Sequence, residues 1–263
     1  VATSFSFCCG VVYVAAPHVW RAQIEASWVS VVLVFLACHA VNAFGEYIFH
    51  RYVLHARLIP GLSMFYKSHT THHGLTRVVL RVPRDSTQEK PQTGIVENRY
   101  PILVEEQHES SFFPWYSYVV FALLSSLWFT PLQLLFPKLP IFLGGFLALA
   151  WTLSLYEILH AIEHWSVEKW KPLLESRRFG GFWKKVYGFH LRHHADIKSN
   201  ESISGFFGIP IPDLLFGTWV NPISLYEDGS TSSRAQFVSP KPCWFIRQLD
   251  ALAEWRHKRL RQR

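Results

Sequence analysis

The chain has 263 residues, of which 49% are hydrophobic, 16% aromatic and only 17% charged, and its formal net charge is +7 at pH 7. Soluble domains usually carry about 25% charged residues, so this composition favours a membrane protein. The basic residues form no long Lys/Arg run and no nucleic-acid-binding motif, and we therefore predict no nucleic-acid partner.

The chain begins with a short hydrophobic run, FSFCCGVVYVAAPHVW. It fits the end of a membrane helix, the apolar part of a signal peptide or a segment at the membrane interface. Residue 1 is Val, so we expect that the natural N-terminus is missing or processed. We divide the sequence into a partial N-terminal hydrophobic segment (1–25), a membrane domain (26–220) and a C-terminal amphipathic basic tail (221–263).

Three apolar runs reach the roughly 20 residues that a bilayer span needs, namely 26–44, 115–136 and 140–159. Pro131 is predicted to kink the second span. Only PKLP (137–140) separates the second span from the third, which predicts a tight hairpin. The polar region 50–112 and the basic region after Lys169 then share one face, which is cytoplasmic by the positive-inside rule.

The fold class predicted from these runs is an all-α integral membrane bundle of about three to four transmembrane helices with a cytosolic helical cap. Residues 81–99 are predicted to form a loop or lid. The C-terminal tail places Trp244, Phe245, Leu249, Leu252 and Trp255 at helical spacing. Two interpretations fit the tail: an amphipathic helix on the membrane surface, or a helix docked on the domain.

Ten of the fourteen histidines fall in four short windows, HRYVLH (50–55), HTTHH (69–73), HAIEH (160–164) and HLRHH (190–194). Even scatter would place about one histidine in so few residues. We interpret the other four as ordinary surface or hydrogen-bonded polar residues. These four are His18, His39, His108 and His257.

The spacing within the windows predicts metal binding. Positions i, i+3 and i+4 share a helix face, so each H-x-x-H-H box is expected to converge on one point, as are His160 and His164. His50 and His55 are five residues apart, so they are predicted to straddle a helix end or to serve different metals. Imidazole suits iron, zinc, copper and nickel. Ten ligands exceed the needs of one ion, whereas two ions with five histidines each would satisfy the count.

Metals at the ends of membrane spans can act on a substrate dissolved in the bilayer. Oxidising an unactivated C–H bond with O₂ requires a redox-active metal such as iron or copper, and zinc has no redox chemistry. The pattern therefore indicates iron and an oxidation. The sequence has no C-x-x-C-H haem motif and no G-x-G-x-x-G flavin fingerprint, so we expect a separate electron donor.

The series H-x4-H, H-x2-H-H, H-x3-H, H-x2-H-H resembles the fatty acid hydroxylase / sterol desaturase superfamily over roughly residues 45–220. FHRYVLH and the count of ten histidines are most similar to the fatty acid (sphingolipid) 2-hydroxylase branch, and SGFFGIPIPDLLFGTW (204–219) resembles the segment after that family's last box. The chain departs from that branch in its long polar insert, 76–112, and in showing no cytochrome b5 domain.

The resemblance implies a di-iron, O₂-dependent lipid hydroxylase of the endoplasmic reticulum, supplied with electrons by cytochrome b5 and its reductase. It also implies ten metal ligands. They are His50, His55, His69, His72, His73, His160, His164, His190, His193 and His194. The same centre could carry out desaturation or sterol oxidation instead. A metal transporter is disfavoured, because transport sites lie near the bilayer midplane and the spans are nearly free of charge.

Ligand histidines usually donate their second ring nitrogen to an acceptor such as a carboxylate. Five acidic residues near the boxes are predicted to fill this role. They are Glu46, Glu157, Glu163, Asp196 and Asp213. Asn200 and Glu201 follow the last box and are candidates for contact with the substrate or the metals.

Overall fold

A computed structural model describes residues 1–82, 92–222 and 225–261. These are mostly helical, as predicted. The helices are α1 (Ala2–Ala15), α2 (Pro17–Ile24), α3 (Trp28–Phe49), α4 (Ser63–Leu75), α5 (Glu105–Glu109), α6 (Ser117–Leu135), α7 (Ile141–Glu163), α8 (Val167–Leu174), α9 (Gly180–Ala195), α10 (Ile211–Phe216) and α11 (Trp244–Arg261). A π-helical turn, His50–Leu54, continues α3, and short 3-10 turns cover Pro60–Leu62 and Arg234–Phe237.

Three of these helical segments are long and apolar enough to cross a membrane. They are Trp28–Leu54, Ser117–Leu135 and Ile141–Glu163. All three correspond to predicted spans, although the first and third helices run several residues further than the apolar runs alone indicated. Pro131 lies inside α6, and the kink expected there stays a prediction.

The chain divides into two compact units. The membrane unit comprises Val1–Gly45, Phe113–Ile158 and Ser204–Ile209, and the histidine unit comprises Glu46–Phe112, Leu159–Ile203 and Pro210–Arg263. Because the unit boundaries fall within α3 and α7, each of these two helices contributes residues to both units.

Small residues let the helices of the membrane unit approach closely. A Cβ on Gly145 of α7 would overlap the ring of Phe129 on α6, and one on Gly144 would lie 2.7 Å from Val34 on α3. Such close contacts at small residues are typical of helices packed in lipid, where no hydrophobic effect drives association. The predicted hairpin is closed by Gln133, whose side chain donates to the Pro137 carbonyl.

The histidine unit contains a small antiparallel sheet that the all-α prediction did not include. Its strands are β1 (Val78–Arg81), β2 (Thr93–Asn98) and β3 (Thr231–Ser233), in the order β1-β2-β3. The prediction that 81–99 form a loop or lid is therefore wrong for the residues of β2. Residues 83–91 of that range lie outside the described part of the chain. Val78 and Val96 are buried with Tyr187 and Leu191 of α9, which fixes the sheet on that helix.

The C-terminal helix α11 is attached to the histidine unit by one face only. Ile246 is fully buried, and its carbonyl oxygen lies 3.1 Å from the hydroxyl oxygen of Tyr52. Four large apolar side chains of the same helix are exposed. They are Trp244, Phe245, Leu252 and Trp255. The tail is thus docked and still presents an apolar surface.

Candidate metal centre

The structure gathers the ten boxed histidines of the histidine unit into two groups of five. Within each group, one ring nitrogen of every member lies within 4.8 Å of those of the others. Cluster A contains His50, His55, His69, His73 and His193. Cluster B contains His72, His160, His164, His190 and His194.

Each H-x-x-H-H box serves both clusters, which corrects the expectation that each box converges on one point. In α4, His69 and His73 belong to cluster A, while His72 belongs to cluster B. In α9 the pattern is reversed, and His193 alone belongs to cluster A. The i and i+4 members share a face, whereas the i+3 member turns toward the opposite cluster. Each cluster therefore contains histidines from both halves of the sequence.

The π-helical turn explains the unusual spacing of the first pair. The amide of His55 donates to the carbonyl of His50 at 3.1 Å, which is the i→i+5 bond of a π-helix and not the i→i+4 bond of an α-helix. Two histidines five apart therefore fall on the same side, with ring centroids 5.0 Å apart. The alternative that His50 and His55 serve different metals is wrong, because both residues belong to cluster A. Single π turns are frequent at functional sites.

Three of the five histidines of cluster B have their second ring nitrogen held by an acceptor from residues 76–112. The Nδ1 of His164 donates to the Tyr100 carbonyl at 2.7 Å, and that of His194 to the Thr76 carbonyl at 2.9 Å. The Nδ1 of His72 lies 3.0 Å from the Ser111 hydroxyl oxygen. That hydroxyl donates to the Gln107 carbonyl, so its oxygen accepts the hydrogen from His72.

Cluster A is supported by the segment that follows the second box. The Nδ1 of His50 donates to the Glu201 carbonyl at 2.5 Å, and that of His193 to the Ser199 carbonyl at 2.8 Å. A carbonyl can only accept, so each of these rings carries its hydrogen on Nδ1. Each neutral ring therefore presents an unprotonated Nε2 to its cluster.

The Nε2 atoms approach one another as ligands of a single ion do. Those of His72 and His164 are 3.1 Å apart, and those of His50 and His69 are 3.0 Å apart. Adjacent ligands of an octahedral ion at about 2.1 Å are separated by about 3.0 Å. Because His72 and His164 both carry hydrogen on Nδ1, their facing Nε2 lone pairs have no hydrogen between them. A bound cation relieves this repulsion, so both clusters fit a metal.

Burial keeps these imidazoles neutral, as metal ligation requires. It lowers the pKa of His164 to about 3, although the hydrogen bond to Tyr100 acts in the opposite direction. Burial also holds the pKa of His193 and of His194 well below the ordinary histidine value, and neighbouring histidines of the site lower them further.

Of the predicted acidic residues, Asp213 and Asp196 have supporting roles away from the rings. Asp213 accepts the backbone amides of Glu201 and Ser202 at 2.9 and 2.8 Å. It thereby fixes the carbonyl that receives His50. Asp196 instead accepts the hydroxyl of Ser239 at 2.8 Å.

The other three acidic residues differ in placement. Glu157 belongs to the membrane unit and accepts the amide of Phe113 at 2.9 Å. Glu163 is buried beside His164 in the sequence, and Glu46 is half-buried one turn before His50. The contact of Glu46 and of Glu163 with a ligand ring stays a prediction.

Asn200 and Glu201, the two candidates that follow the last box, have different roles. The side-chain amide nitrogen of Asn200 binds the backbone, since it donates to the carbonyls of Phe189 and Val220 at 2.8 Å each. The fully buried Glu201 lies closer to the site, with a carboxylate oxygen 3.8 Å from the Nδ1 of His50. Asn200 is therefore a backbone anchor, and Glu201 borders cluster A.

A charged network beside cluster A was not predicted from the sequence. The buried Arg51 donates to Glu201 at 2.8 Å and binds Asp250 of α11 through two further bonds of 2.8 Å. Burial acts to raise the pKa of Asp250, but the bonds from Arg51 outweigh it and lower that pKa. A lone arginine directly after His50, in an otherwise apolar stretch, was the available signal.

The four remaining histidines lie outside both clusters. His39, for example, is buried in the membrane unit, where its ring nitrogens contact the Thr152 hydroxyl at 2.9 Å and the Phe207 amide at 3.1 Å. Comparisons of the chain with protein-family models, with curated proteins and with solved structures found no match.

Proposed function

We propose that the protein is a membrane-bound di-iron oxygenase that hydroxylates the acyl chain of a lipid, such as a fatty acid or a sphingolipid. The overall reaction would consume O₂, two electrons and two protons for each C–H bond converted to C–OH, and would release water. The histidine series, which resembles that of fatty acid 2-hydroxylases, and the three apolar helices support this proposal.

The single observation that carries the proposal is the contact between His72 and His164. Two neutral imidazoles with both Nδ1 hydrogens committed elsewhere have no reason to bring their Nε2 atoms to 3.1 Å unless a cation joins them. A group of five imidazoles with closely spaced ring nitrogens occurs twice in one unit. A two-metal centre accounts for both clusters with one explanation.

The donor set supports a transition metal. Imidazole suits iron, and an octahedral ion with five imidazole ligands keeps one position for a small molecule. Bound iron would supply the redox chemistry with O₂ that side chains lack. The protein would hold four of the ligands in the Nδ1–H tautomer through the carbonyls of Thr76, Tyr100, Ser199 and Glu201, and would keep the ligands neutral by burial.

The remaining parts of the proposal concern the cellular setting. The membrane would be that of the endoplasmic reticulum, with the histidine unit on the cytoplasmic side, as the distribution of basic residues favours. Electrons would come from cytochrome b5 and its reductase, as the resemblance to fatty acid 2-hydroxylases implies.

The test is a reconstituted assay of the full chain in lipid nanodiscs, loaded with iron and supplied with cytochrome b5, its reductase, NADH and ¹⁸O₂. The expected product is a lipid that gains one ¹⁸O atom as a hydroxyl group, and its formation is abolished by His72→Ala. The matched control is His108→Ala, which replaces an exposed histidine outside both clusters. An unsaturated product would indicate desaturation, and metal flux without O₂ uptake would indicate transport. Either result would contradict the hydroxylase proposal.

A further inference from the structure

The two histidine clusters differ in their exposure. All five histidines of cluster B are buried, whereas two members of cluster A, His55 and His73, are half-buried. A metal in cluster B could leave only if the unit opened. A metal in cluster A has two ligands within reach of solvent.

A cleft of about 370 Å³ borders cluster A at His55. Its lining also includes Asp250, Ala253 and His257 of α11. Through this cleft, His55 of cluster A borders the surface. Successive turns of α11 form one wall of the cleft.

The position of that wall depends on a buried charge network. Asp250 holds the guanidinium of Arg51 through two bonds of 2.8 Å, and the Tyr52 hydroxyl adds a third bond to Asp250 at 2.9 Å. Arg51 and Tyr52 belong to the π-helical turn between His50 and His55. Asp250 therefore links α11 to the segment that carries two ligands of cluster A.

We infer that cluster A is the exchangeable metal site of the pair, that its divalent cation enters and leaves through the cleft at His55, and that α11 restrains this exchange through Asp250. Exchange requires a ligand to move aside while an incoming group reaches the metal. His55 is the ligand placed for this, since the cleft provides the space. Cluster B exchanges only when the unit opens, which is a rarer event for a buried region.

This inference rests on the metal-binding part of the proposed function and not on oxygenase chemistry. The experiment therefore uses zinc, which has no redox activity. The purified full chain is loaded with zinc in detergent micelles and mixed with an excess of a chromophoric chelator, and zinc release is followed over time. We expect two phases of equal amplitude, with one zinc released quickly and one slowly. His55→Ala should remove the fast phase, and His164→Ala the slow one.

Variants of α11 test the role of Asp250. Asp250→Asn should speed the fast phase by about tenfold, the lower end of what changes around metal ligands usually produce, and leave the slow phase unchanged. Glu254→Gln is the matched control, because it removes the same charge from the same helix at a residue that also lines the cleft, but whose ion pair is the exposed one with Lys198 and not the buried one with Arg51. Exposed ion pairs contribute little, so release should stay unchanged.

A second variant, expected to change the rate of the fast phase in the opposite direction, keeps the test decisive if Asp250→Asn does not fold. Ala253→Trp narrows the cleft and should slow the fast phase alone. One phase for both zinc ions, a fast phase that disappears in His164→Ala, or equal effects of the two α11 charge variants would each overturn the inference. A chain that binds no zinc would overturn the proposed function as well, whereas two-phase release without hydroxylase activity would overturn the proposed function alone.

Discussion

The Nδ1 of His164 donates to the carbonyl oxygen of Tyr100 at 2.7 Å, and Tyr100 belongs to the polar insert at residues 76–112. The insert also supplies the Thr76 carbonyl to His194 and the Ser111 hydroxyl to His72. Its strands β1 and β2 join the segments that carry Thr76 and Tyr100, because Val78 pairs with Asn98. The insert thus acts as the support of cluster B.

This support can be tested at Ser111, the one side-chain acceptor among the three. Ser111→Ala removes the acceptor of His72, and we expect the affinity of cluster B for zinc to fall by about 10- to 100-fold, as is usual for partners of metal ligands. Competition titration with a chelator of known affinity measures the effect. Ser110→Ala is the neighbouring control, since that hydroxyl donates only to the Gln107 carbonyl. Equal losses in the two variants would contradict the assignment.

The exchange of ligands between the boxes predicts how pairs of substitutions combine. His193→Ala should reduce the metal content from two ions per chain to one, because cluster A loses a ligand. Adding His50→Ala should leave one ion, since both residues serve cluster A. Adding His190→Ala should leave none. Metal analysis of the three proteins distinguishes this assignment from grouping by box, which predicts the reverse order for the two double variants.

The histidines themselves were predictable, but their assignment to clusters was not. Spacing shows that His72 and His73 point about 100° apart around the helix axis. It does not show that a second cluster lies on the side of His72. That depends on where α9 packs, which is a property of tertiary structure. The spans were predictable for the opposite reason, since apolar length is a local property of the sequence.

The acceptors of the ligand rings were missed because most are backbone carbonyls. Every residue has a carbonyl, so Thr76, Tyr100 and Ser199 carry no signal in their identity. The search for acceptors therefore favoured carboxylates, and Asp213 instead holds the backbone one step away from the ring. Similarly, the H-x4-H spacing of the first pair excludes a shared α-helical face, and only the π-helical turn reconciles it with one cluster.

The exposed apolar face of α11 predicts contact with lipid. Trp244, Leu252 and Trp255 are exposed on a helix whose opposite side is docked, and such a face is typical of helices at the membrane interface. A spin label at Leu252→Cys should be more accessible to O₂ than to a water-soluble nickel complex, and one at Glu254→Cys should show the reverse. The experiment uses a Cys243→Ser background. A label at residue 252 that prefers the nickel complex would contradict lipid contact.

The buried histidines predict that the metal-free protein loses stability in weak acid. In an unfolded chain, histidine has a pKa of about 6.5, whereas burial lowers that of His164 to about 3 in the folded state. Between these values the unfolded state binds more protons, so the free energy of unfolding falls as the pH falls below about 6.5 and stays constant above it. Each histidine that remains neutral contributes about 1.4 kcal/mol per pH unit. Thermal unfolding from pH 8 to pH 5 should show this decline in the melting temperature. The decline should be less steep in His164→Ala than in the wild-type protein, and in His108→Ala it should be as steep as in the wild-type protein.

Loading with zinc should shift the decline to lower pH, because the metal competes with protons for the same nitrogens. A metal-free protein whose melting temperature stays constant from pH 7 to pH 5 would show that the rings are not held neutral by burial.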